Sequence, residues 1–194
     1  MRIYTGTGDD GTTGRLYGGR VAKTATIVDA AGDIDEVIAV LGVARAQVPS
    51  AVDAGVISEG DATTMAGTLL RLQRELFVLG ADISANPDRR HKLTPGISLL
   101  TEAEVSGLEA IIDDVVTAHP LRPVFIVPGA TVVSAHLDHA RTVARRAERA
   151  CLRARDEGGP VSAEVLRYLN RLSDLLFVLA RQAAGDAEEL ASHD

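Results

Sequence analysis

The sequence predicts an all-α protein, a five-helix antiparallel bundle that follows a glycine-rich N-terminal arm. Leu, Val, Ile and Ala recur at spacings of three and four residues along most of the chain, which is the period of one helix face. Aromatic residues make up only 3% of the 194 residues and Trp is absent, so the core must be aliphatic. Such a core suits packed helices better than a β-sandwich. The length fits a single domain, which we divide into an arm (1–23), a helical bundle (24–185) and a tail (186–194).

The first two predicted helices are defined by apolar stripes. The first covers about residues 26–48, and the second covers residues 58–84. The second must end near Asn86-Pro87, because a residue that precedes proline is disfavoured in the α region. The apolar positions are Val37, Leu41 and Ala44 in the first helix and Leu69, Leu72, Leu76, Leu79 and Ile83 in the second.

The last three predicted helices have clear boundary signals. Thr101 and Glu104 have the spacing of a capping box, which opens a helix over about residues 101–119. The fourth helix covers about residues 131–156 and is stopped by a Gly-Gly-Pro sequence, after which the fifth begins near Ser162. Short connections between five such helices favour antiparallel neighbours in a bundle.

Composition excludes several classes of protein. The net charge of -7 argues against general binding to nucleic acids or anionic membranes. No apolar run reaches the ~18 residues of a membrane span, and the N-terminus lacks the apolar region of a signal peptide. The single cysteine, Cys151, cannot form an internal disulfide and is expected in the core. We therefore expect a cytoplasmic protein that binds neither nucleic acid nor membrane.

The arm contains Gly-Thr-Gly-Asp-Asp-Gly at residues 6–11. This matches the dinucleotide fingerprint formally, but no buried strand precedes it and no helix follows it. A partial P-loop pattern at residues 14–21 lacks the required Lys and Ser/Thr. Exposed amides, Thr hydroxyls and the nearby Lys23 still suit a polyphosphate, and Asp9 or Asp10 suits a Mg²⁺ ion bound to it. The alternative interpretation is a flexible N-terminal tail.

The fourth predicted helix has a face rich in arginine. Arg141, Arg145, Glu148 and Arg149 lie at i, i+4, i+7 and i+8, on one side of the helix. Closely spaced guanidinium groups repel each other unless an anion neutralises them, and triphosphate matches their planar donors. A solvated face with internal ion pairs remains the alternative. An RNA-binding face is disfavoured, because aromatic residues for base stacking are scarce.

Polar residues elsewhere give weaker signals. Asn170, on the fifth helix, either contacts the edge of an adenine or ribose or forms an ordinary hydrogen bond between helices. His136 and His139 lack the partners of a zinc protease or a di-iron site, so we expect both on the surface.

Seven segments in order make the chain resemble the propanediol-utilisation type of ATP:cob(I)alamin adenosyltransferases, also called corrinoid adenosyltransferases. They span nearly the whole chain, and the ordered set is far more specific than any one of them. The segments are IYTxTGDDGTT at 3–13, RVxK at 20–23, DE at 35–36, LFVLGADI at 76–83, FIVPG at 125–129, RTVARRAER at 141–149 and YLNRLSDLLF at 168–177.

The resemblance implies a ferritin-like, up-and-down five-helix bundle that assembles as a homotrimer with active sites between subunits. It implies an enzyme that transfers the 5′-deoxyadenosyl group of ATP to cob(I)alamin, with Mg²⁺, giving adenosylcobalamin and triphosphate. A cobalamin reductase and an adenosylcobalamin-dependent mutase are the implied further partners. The alternative with the same fold is a non-catalytic chaperone that binds ATP and cobalamin and delivers adenosylcobalamin to a mutase. A plain helical interaction protein is the third interpretation.

The resemblance assigns nucleotide-binding roles to residues of the arm and of the last two helices. Arg145 and Arg149 would contact the phosphates, with Glu148 beside them, and Asn170 would contact the nucleoside. The arm would wrap the triphosphate. The arm residues concerned are Thr5, Gly6, Thr7, Gly8, Asp10, Thr13, Gly14 and Lys23.

Catalytic roles fall by the same resemblance on Arg145 and on three further residues. Asp35 would pair with Arg141 of a neighbouring subunit. Phe125, in a short extended stretch over residues 121–127, would lie under the corrin ring in place of the lower axial ligand.

Some positions depart from the family pattern. Gly6 stands where many relatives carry Lys or Arg, which removes one possible phosphate contact. Ala31, Asp33 and Ile38 replace the expected aromatic residue, Thr and Asn. We expect these changes to slow the enzyme or to alter contacts between subunits.

Overall fold

The computed structural model describes residues 4–191 and confirms the all-α fold class. Ile3 of the arm motif and residues 192–194 of the tail lie outside the described residues. Two short antiparallel strand pairs accompany the helices, β1 with β2 and β3 with β4. The elements are β1 (Thr12–Gly14), β2 (Arg20–Ala22), α1 (Thr26–Asp53), α2 (Glu59–Ser84), α3 (Glu102–Ala118), β3 (Ile126–Val127), α4 (Val132–Asp156), α5 (Ala163–Ala184) and β4 (Glu189–Leu190).

Side-chain caps confirm the predicted starts of the last four helices. Ser58, Thr131 and Ser162 each accept a hydrogen bond from a backbone N–H of the first turn that follows. Glu104 completes the predicted capping box by accepting from the Thr101 N–H at 2.8 Å. Each such cap typically stabilises a helix by about 1 kcal/mol, so these local sequences fix where the helices begin.

α1 is longer than the stripe over residues 26–48 predicted, because Pro49 lies inside the helix. Proline has no N–H, so the hydrogen bond to the carbonyl of Arg45 cannot form. The last turn is nevertheless held by the burial of Ala51 and by the Ala54 N–H, which donates to the Ser50 carbonyl oxygen at 3.1 Å. Packing therefore overrides the local signal to stop.

Contacts at the helix ends fix the direction of α4 relative to its neighbours. Thr26, at the start of α1, donates to the carboxylate of Glu157, just after α4, at 2.8 Å. Thr131, just before α4, donates to the carbonyl oxygen of Ala183, near the end of α5, at 2.8 Å. α4 therefore runs antiparallel to both α1 and α5.

The remaining contacts complete an up-and-down order. Gln73 in α2 donates to the Ile38 carbonyl oxygen in α1, and only residues 54–58 connect these two packed helices, so they are antiparallel. An ion pair between Arg167 and Glu102 joins the first turns of α5 and α3, which are parallel neighbours. Hence the arm, before α1 and beside the end of α2, lies at one end of the bundle, here called the arm end. The segment before α4 lies at the other, here called the Phe125 end.

The core is aliphatic, as predicted, with Tyr168 as its one fully buried aromatic residue among those described. The Tyr168 hydroxyl donates to the Glu75 carboxylate at 2.9 Å. Cys151 is fully buried, and burial raises the pKa of its thiol to about 12. All eight predicted stripe positions of the first two helices are buried. Within residues 4–191, no helix is both long and apolar enough to cross a membrane.

Candidate active site

The arm is a β-hairpin that follows a tight turn, a more ordered structure than its composition predicts. Arg20 holds the turn together, because its Nε donates to Thr12 Oγ1 at 2.7 Å and its Nη2 donates to the carbonyl oxygen of Thr7. The Asp10 carboxylate accepts hydrogen bonds from the hydroxyl and the N–H of Thr12, and these hold the pKa of Asp10 below its usual value. In the described chain, Asp10 thus shapes the turn.

Gly8 allows Lys23 to lie against this turn. A Cβ at position 8 would lie 3.2 Å from Lys23 Nζ and 3.3 Å from the Thr12 carbonyl oxygen. The Lys23 N–H donates to the Gly11 carbonyl oxygen at 2.8 Å, which fixes the lysine beside the turn. The Lys23 ammonium forms no hydrogen bond or ion pair with any other residue of the described chain. It is therefore free to bind an anion at the turn.

The other predicted arm residues fall into two groups. Thr5 and Thr7 are exposed, and their hydroxyl oxygens lie 2.8 Å apart. Gly6, between them, has a φ of +73°, a backbone conformation that residues other than Gly rarely adopt. Thr13 and Gly14, in β1, line a small cavity of about 160 Å³ against α1. The Thr5 and Thr7 hydroxyls are thus exposed on the turn, whereas Thr13 and Gly14 lie against α1.

The hairpin is anchored to the arm end of the bundle. The Leu16 N–H donates to the Ser84 carbonyl oxygen at 3.0 Å, and the Asn86 N–H donates back to Leu16 at 2.9 Å. The Asn86 side chain also donates to the Gly18 carbonyl oxygen at 3.0 Å. These bonds tie the arm to the last turn of α2.

The predicted arginine face is present on α4. Arg145 and Arg149 are exposed, and neither forms a hydrogen bond or an ion pair within residues 4–191. Asn170, on α5, lies beside them, because its Nδ2 is 3.5 Å from a Glu148 carboxylate oxygen. Its amide oxygen accepts a hydrogen bond from Arg171 at 2.8 Å. The structure therefore brings together Arg145, Glu148, Arg149 and Asn170 on the surface between α4 and α5.

A cavity of about 810 Å³ lies at the Phe125 end, between α3, α4, α5 and the segment before α4. Arg141 and Phe125 both line it. Phe125 is 88% exposed, so its ring contributes little to the core. The apolar part of the lining comes from Ile112, Val116, Leu121, Val124, Phe125, Ile126, Pro128, Phe177 and Val178.

A buried cluster of charge borders this cavity, and no spacing in the sequence indicates it. Arg181 Nη2 lies 2.6 Å from an Asp138 carboxylate oxygen, and Arg181 Nε lies 3.4 Å from a Glu188 carboxylate oxygen. Burial raises the pKa of Asp138, while the Arg181 cation acts in the opposite direction. The guanidinium carbons of Arg141 and Arg181 lie 5.7 and 5.4 Å from the centroid of the Phe177 ring.

Asp35 has no partner within the described chain, whereas the acidic residues around it do. Arg146 Nε lies 3.0 Å from the Asp33 carboxylate, and Arg146 Nη2 contacts Glu36. Hydrogen bonding to Asp33 raises the pKa of Arg146. Asp33, a departure from the family pattern, thus joins α1 to α4. Asp35 and Arg141 form no ion pair with each other in residues 4–191.

The arm and Phe125 lie at opposite ends of α4, whose 25 residues span roughly 37 Å. Arg141, Arg145 and Arg149 follow one another by about one turn along this helix, so they lead from the cavity towards the arm end over roughly 12 Å. Within residues 4–191 of one chain, no hydrogen bond or ion pair joins the arm to the residues that line the cavity. The two groups of predicted site residues are therefore separate in a single subunit.

Comparison with known proteins finds relatives that all bear the name of one kind of enzyme. A sequence model described as cobalamin adenosyltransferase matches residues 3–183. The corrinoid adenosyltransferase of Mycobacterium tuberculosis is 40% identical over 192 residues, covering 97% of this chain and 92% of that protein. That of Bacillus subtilis is 39% identical over 193 residues, covering 97% and 92%. A variant PduO-type ATP:corrinoid adenosyltransferase from Lactobacillus reuteri, solved with cobalamin and ATP, has a TM-score of 0.80 at 30% identity, covering 94% of this chain and 93% of that one.

Proposed function

Because the chain belongs to the cobalamin adenosyltransferase family, we propose that it transfers the 5′-deoxyadenosyl group of ATP to cob(I)alamin. The products are adenosylcobalamin and triphosphate. The observation that carries this proposal is the cavity that holds the exposed Phe125 ring in a partly apolar lining, from which the row of arginines leads along α4. A partly apolar site for a corrin thus adjoins a cationic site for a polyphosphate.

The chemistry requires no general acid or base from the protein. The Co(I) centre is itself a strong nucleophile, and its electron pair forms the bond to the 5′ carbon of ATP. The bond from that carbon to oxygen breaks, and triphosphate leaves with the bonding electrons. The protein has to hold cobalt, carbon and leaving oxygen in line, an effect that can lower a barrier by ~7–11 kcal/mol.

Positive charge without partners supports the triphosphate part of this proposal. Lys23, Arg145 and Arg149 have no hydrogen bond or ion pair in the described chain, so none must give up a contact to bind phosphate. Preorganised cations at a leaving group stabilise the charge that develops there. Mg²⁺ would be held by phosphate oxygens and by Asp9, since the Asp10 carboxylate is engaged by Thr12.

The Phe125 ring supports the corrin part of the proposal. A phenyl ring has no donor atom for cobalt, and burying the lower face of the corrin against it would disfavour a lower axial ligand. A corrinoid without that ligand is easier to reduce to cob(I)alamin. Phe125 therefore acts in the step that supplies the nucleophile as well as in binding.

The separation of arm and cavity supports active sites between subunits, and the assembly that we propose is a homotrimer. The arm of one chain lies too far from its own Phe125 for both to contact one ATP molecule, given the roughly 37 Å length of α4. An arm from a neighbouring subunit would complete the site. Asp35 of that neighbour would pair with Arg141, and both lack an ion pair in the described single chain.

The alternative is a non-catalytic chaperone that binds ATP and cobalamin and delivers adenosylcobalamin to a mutase. Two of the departures from the family pattern have structural explanations that do not require lost catalysis. Gly6 occupies a left-handed conformation, and Asp33 forms an ion pair with Arg146. In the catalytic proposal a cytoplasmic reductase supplies cob(I)alamin, and an adenosylcobalamin-dependent mutase receives the product.

An anaerobic assay with chemically reduced cobalamin, Mg²⁺ and ATP tests the proposal. We expect the cob(I)alamin spectrum to convert to that of adenosylcobalamin, with one triphosphate released for each adenosylcobalamin. A reaction without protein is the control. ATP binding with neither product formed would contradict the enzyme and favour the chaperone.

A further inference from the structure

The segment that follows α5 returns to the strand beside Phe125. Ile126 pairs with Leu190 and Val127 pairs with Glu189 in the antiparallel β3–β4 pair. The Ala191 N–H donates to the carbonyl oxygen of Phe125 itself at 2.9 Å. We call residues 185–191 the C-terminal clamp, since they hold the backbone of the segment that carries the Phe125 ring. The family sequence model ends at residue 183, before the clamp begins.

One buried carboxylate fastens the clamp to α5. The side chain of Glu188 is only 6% exposed, and its Oε1 lies 3.4 Å from Arg181 Nε. Neither of these two atoms has any hydrogen-bond partner in the described chain. Removing the Glu188 charge would take away this contact between the clamp and α5, while Arg181 would keep its pair with Asp138. Arg181 also binds Asp138, so it links the clamp, α5 and α4.

The clamp depends on this anchor because its strands are very short. β3 and β4 have two residues each, and even a complete isolated hairpin is only marginally stable in water. Backbone pairing alone would therefore leave the Phe125 segment free to move. Arg181 and Phe177 line the same cavity as Phe125, so the anchor and the ring border one space.

We propose that Glu188 is a positioning residue, which acts through the C-terminal clamp to set the place of the Phe125 ring against the lower face of the corrin. This rests on the proposed function. Glu188 touches neither ATP nor cobalt in this proposal. Its charge holds the clamp on Arg181, and the clamp holds the Phe125 carbonyl. The Phe125 ring therefore stays at the distance from the corrin at which it excludes a lower axial ligand.

The direct test is Glu188→Gln, which keeps the shape of the side chain and removes its charge. We expect the KM for cob(I)alamin to rise about tenfold, which corresponds to the loss of one ionic contact, while the KM for ATP is unchanged. Bound cob(II)alamin should show a smaller fraction without the lower ligand in its optical and paramagnetic resonance spectra. The matched control is Glu189→Gln, an exposed neighbour with no ion pair in the described chain. Unchanged KM values and spectra in Glu188→Gln would overturn the proposal.

A double-substitution series separates positioning from general stability. If Glu188 acts through the ring, Glu188→Gln has no further effect on the KM for cob(I)alamin once Phe125→Ala is present. Ala191→Pro, which removes the N–H that donates to Phe125, should reproduce the Glu188→Gln result. Additive losses in the double variant would overturn the proposal, because they would mean that Glu188 acts independently of the ring.

Hydrogen exchange without substrates tests the clamp apart from the activity. We expect the amide of Ala191 to exchange about tenfold faster in Glu188→Gln than in the unaltered protein or in Glu189→Gln. Faster exchange in a protein that makes no adenosylcobalamin would support the clamp and reject the proposed function. Normal turnover with equal exchange in all three proteins would reject the clamp and keep the function.

Discussion

Arg145 and Arg146 are adjacent on α4, and their surroundings predict opposite consequences of substitution by Ala. Arg145 is exposed and has no hydrogen bond or ion pair in the described chain. Arg145→Ala should therefore change the free energy of unfolding by less than about 0.5 kcal/mol. Arg146 joins Asp33 and Glu36, with its side chain 43% exposed. Arg146→Ala should destabilise the protein more than Arg145→Ala does, since it removes two ion pairs, although pairs at such exposure contribute little each.

The two substitutions should also have opposite effects on the Tm and on turnover. Arg146→Ala should therefore lower the Tm by a small but measurable amount, and Arg145→Ala should leave it unchanged. Arg145→Ala should instead lower turnover by about 10²–10³, because it removes one preorganised cation from the leaving triphosphate. Arg146→Ala should keep most of its turnover, since its guanidinium is occupied by Asp33 and Glu36.

The assay combines thermal unfolding followed by circular dichroism with anaerobic formation of adenosylcobalamin at saturating ATP. Each variant serves as the other's control, because both remove one guanidinium from the same turn of the same helix. Full turnover by Arg145→Ala would refute the assignment of phosphate contact to that residue. A Tm for Arg145→Ala that falls as far as that of Arg146→Ala would refute the separation of binding from folding.

Two further predictions concern the arm and the core. Gly8→Ala should raise the KM for ATP about tenfold with little change in Tm, because the new Cβ would lie 3.2 Å from Lys23 Nζ and displace it. The control is Gly67→Ala, on the open surface of α2. An unchanged KM in Gly8→Ala would contradict this prediction. Cys151 should stay unreactive towards Ellman's reagent in the native protein at pH 8, because a thiol with a pKa of about 12 is only about 0.01% ionised there and is fully buried. Full reaction should require denaturant, and rapid labelling of the native protein would show that the thiol is accessible.

Those parts of the fold that depend on residues close together in the sequence could be predicted from it. α2 begins after Ser58 and α3 begins after Thr101, because each cap lies within a few residues of the helix it starts. The end of α1 could not be predicted, because burial of Ala51 outweighs the hydrogen bond that Pro49 cannot make. The hairpin of the arm also escaped prediction, since it depends on contacts that the Arg20 side chain makes across the turn.

The candidate site also has one part that follows from local sequence and another that depends on residues far apart in the sequence. The arginine face of α4 follows from helical periodicity, which places residues at i, i+4 and i+8 together whatever the rest of the chain does. The cluster of Asp138, Arg181 and Glu188 joins residues of α4, α5 and the clamp, so no local spacing reveals it. In the sequence, Arg181 resembles an ordinary cation in the last turn of a helix.

The length of the bundle has a genetic consequence in the proposed homotrimer. Each catalytic unit, meaning one active site between subunits, combines the arm of one subunit with the Phe125 of the next. No single subunit therefore contains a complete unit. Two defective alleles, one damaged in the arm and the other at Phe125, would complement each other, because mixed trimers would contain some units with both parts intact. A copy with both defects would lower activity by more than its share, since it would disable two of the three units of a trimer.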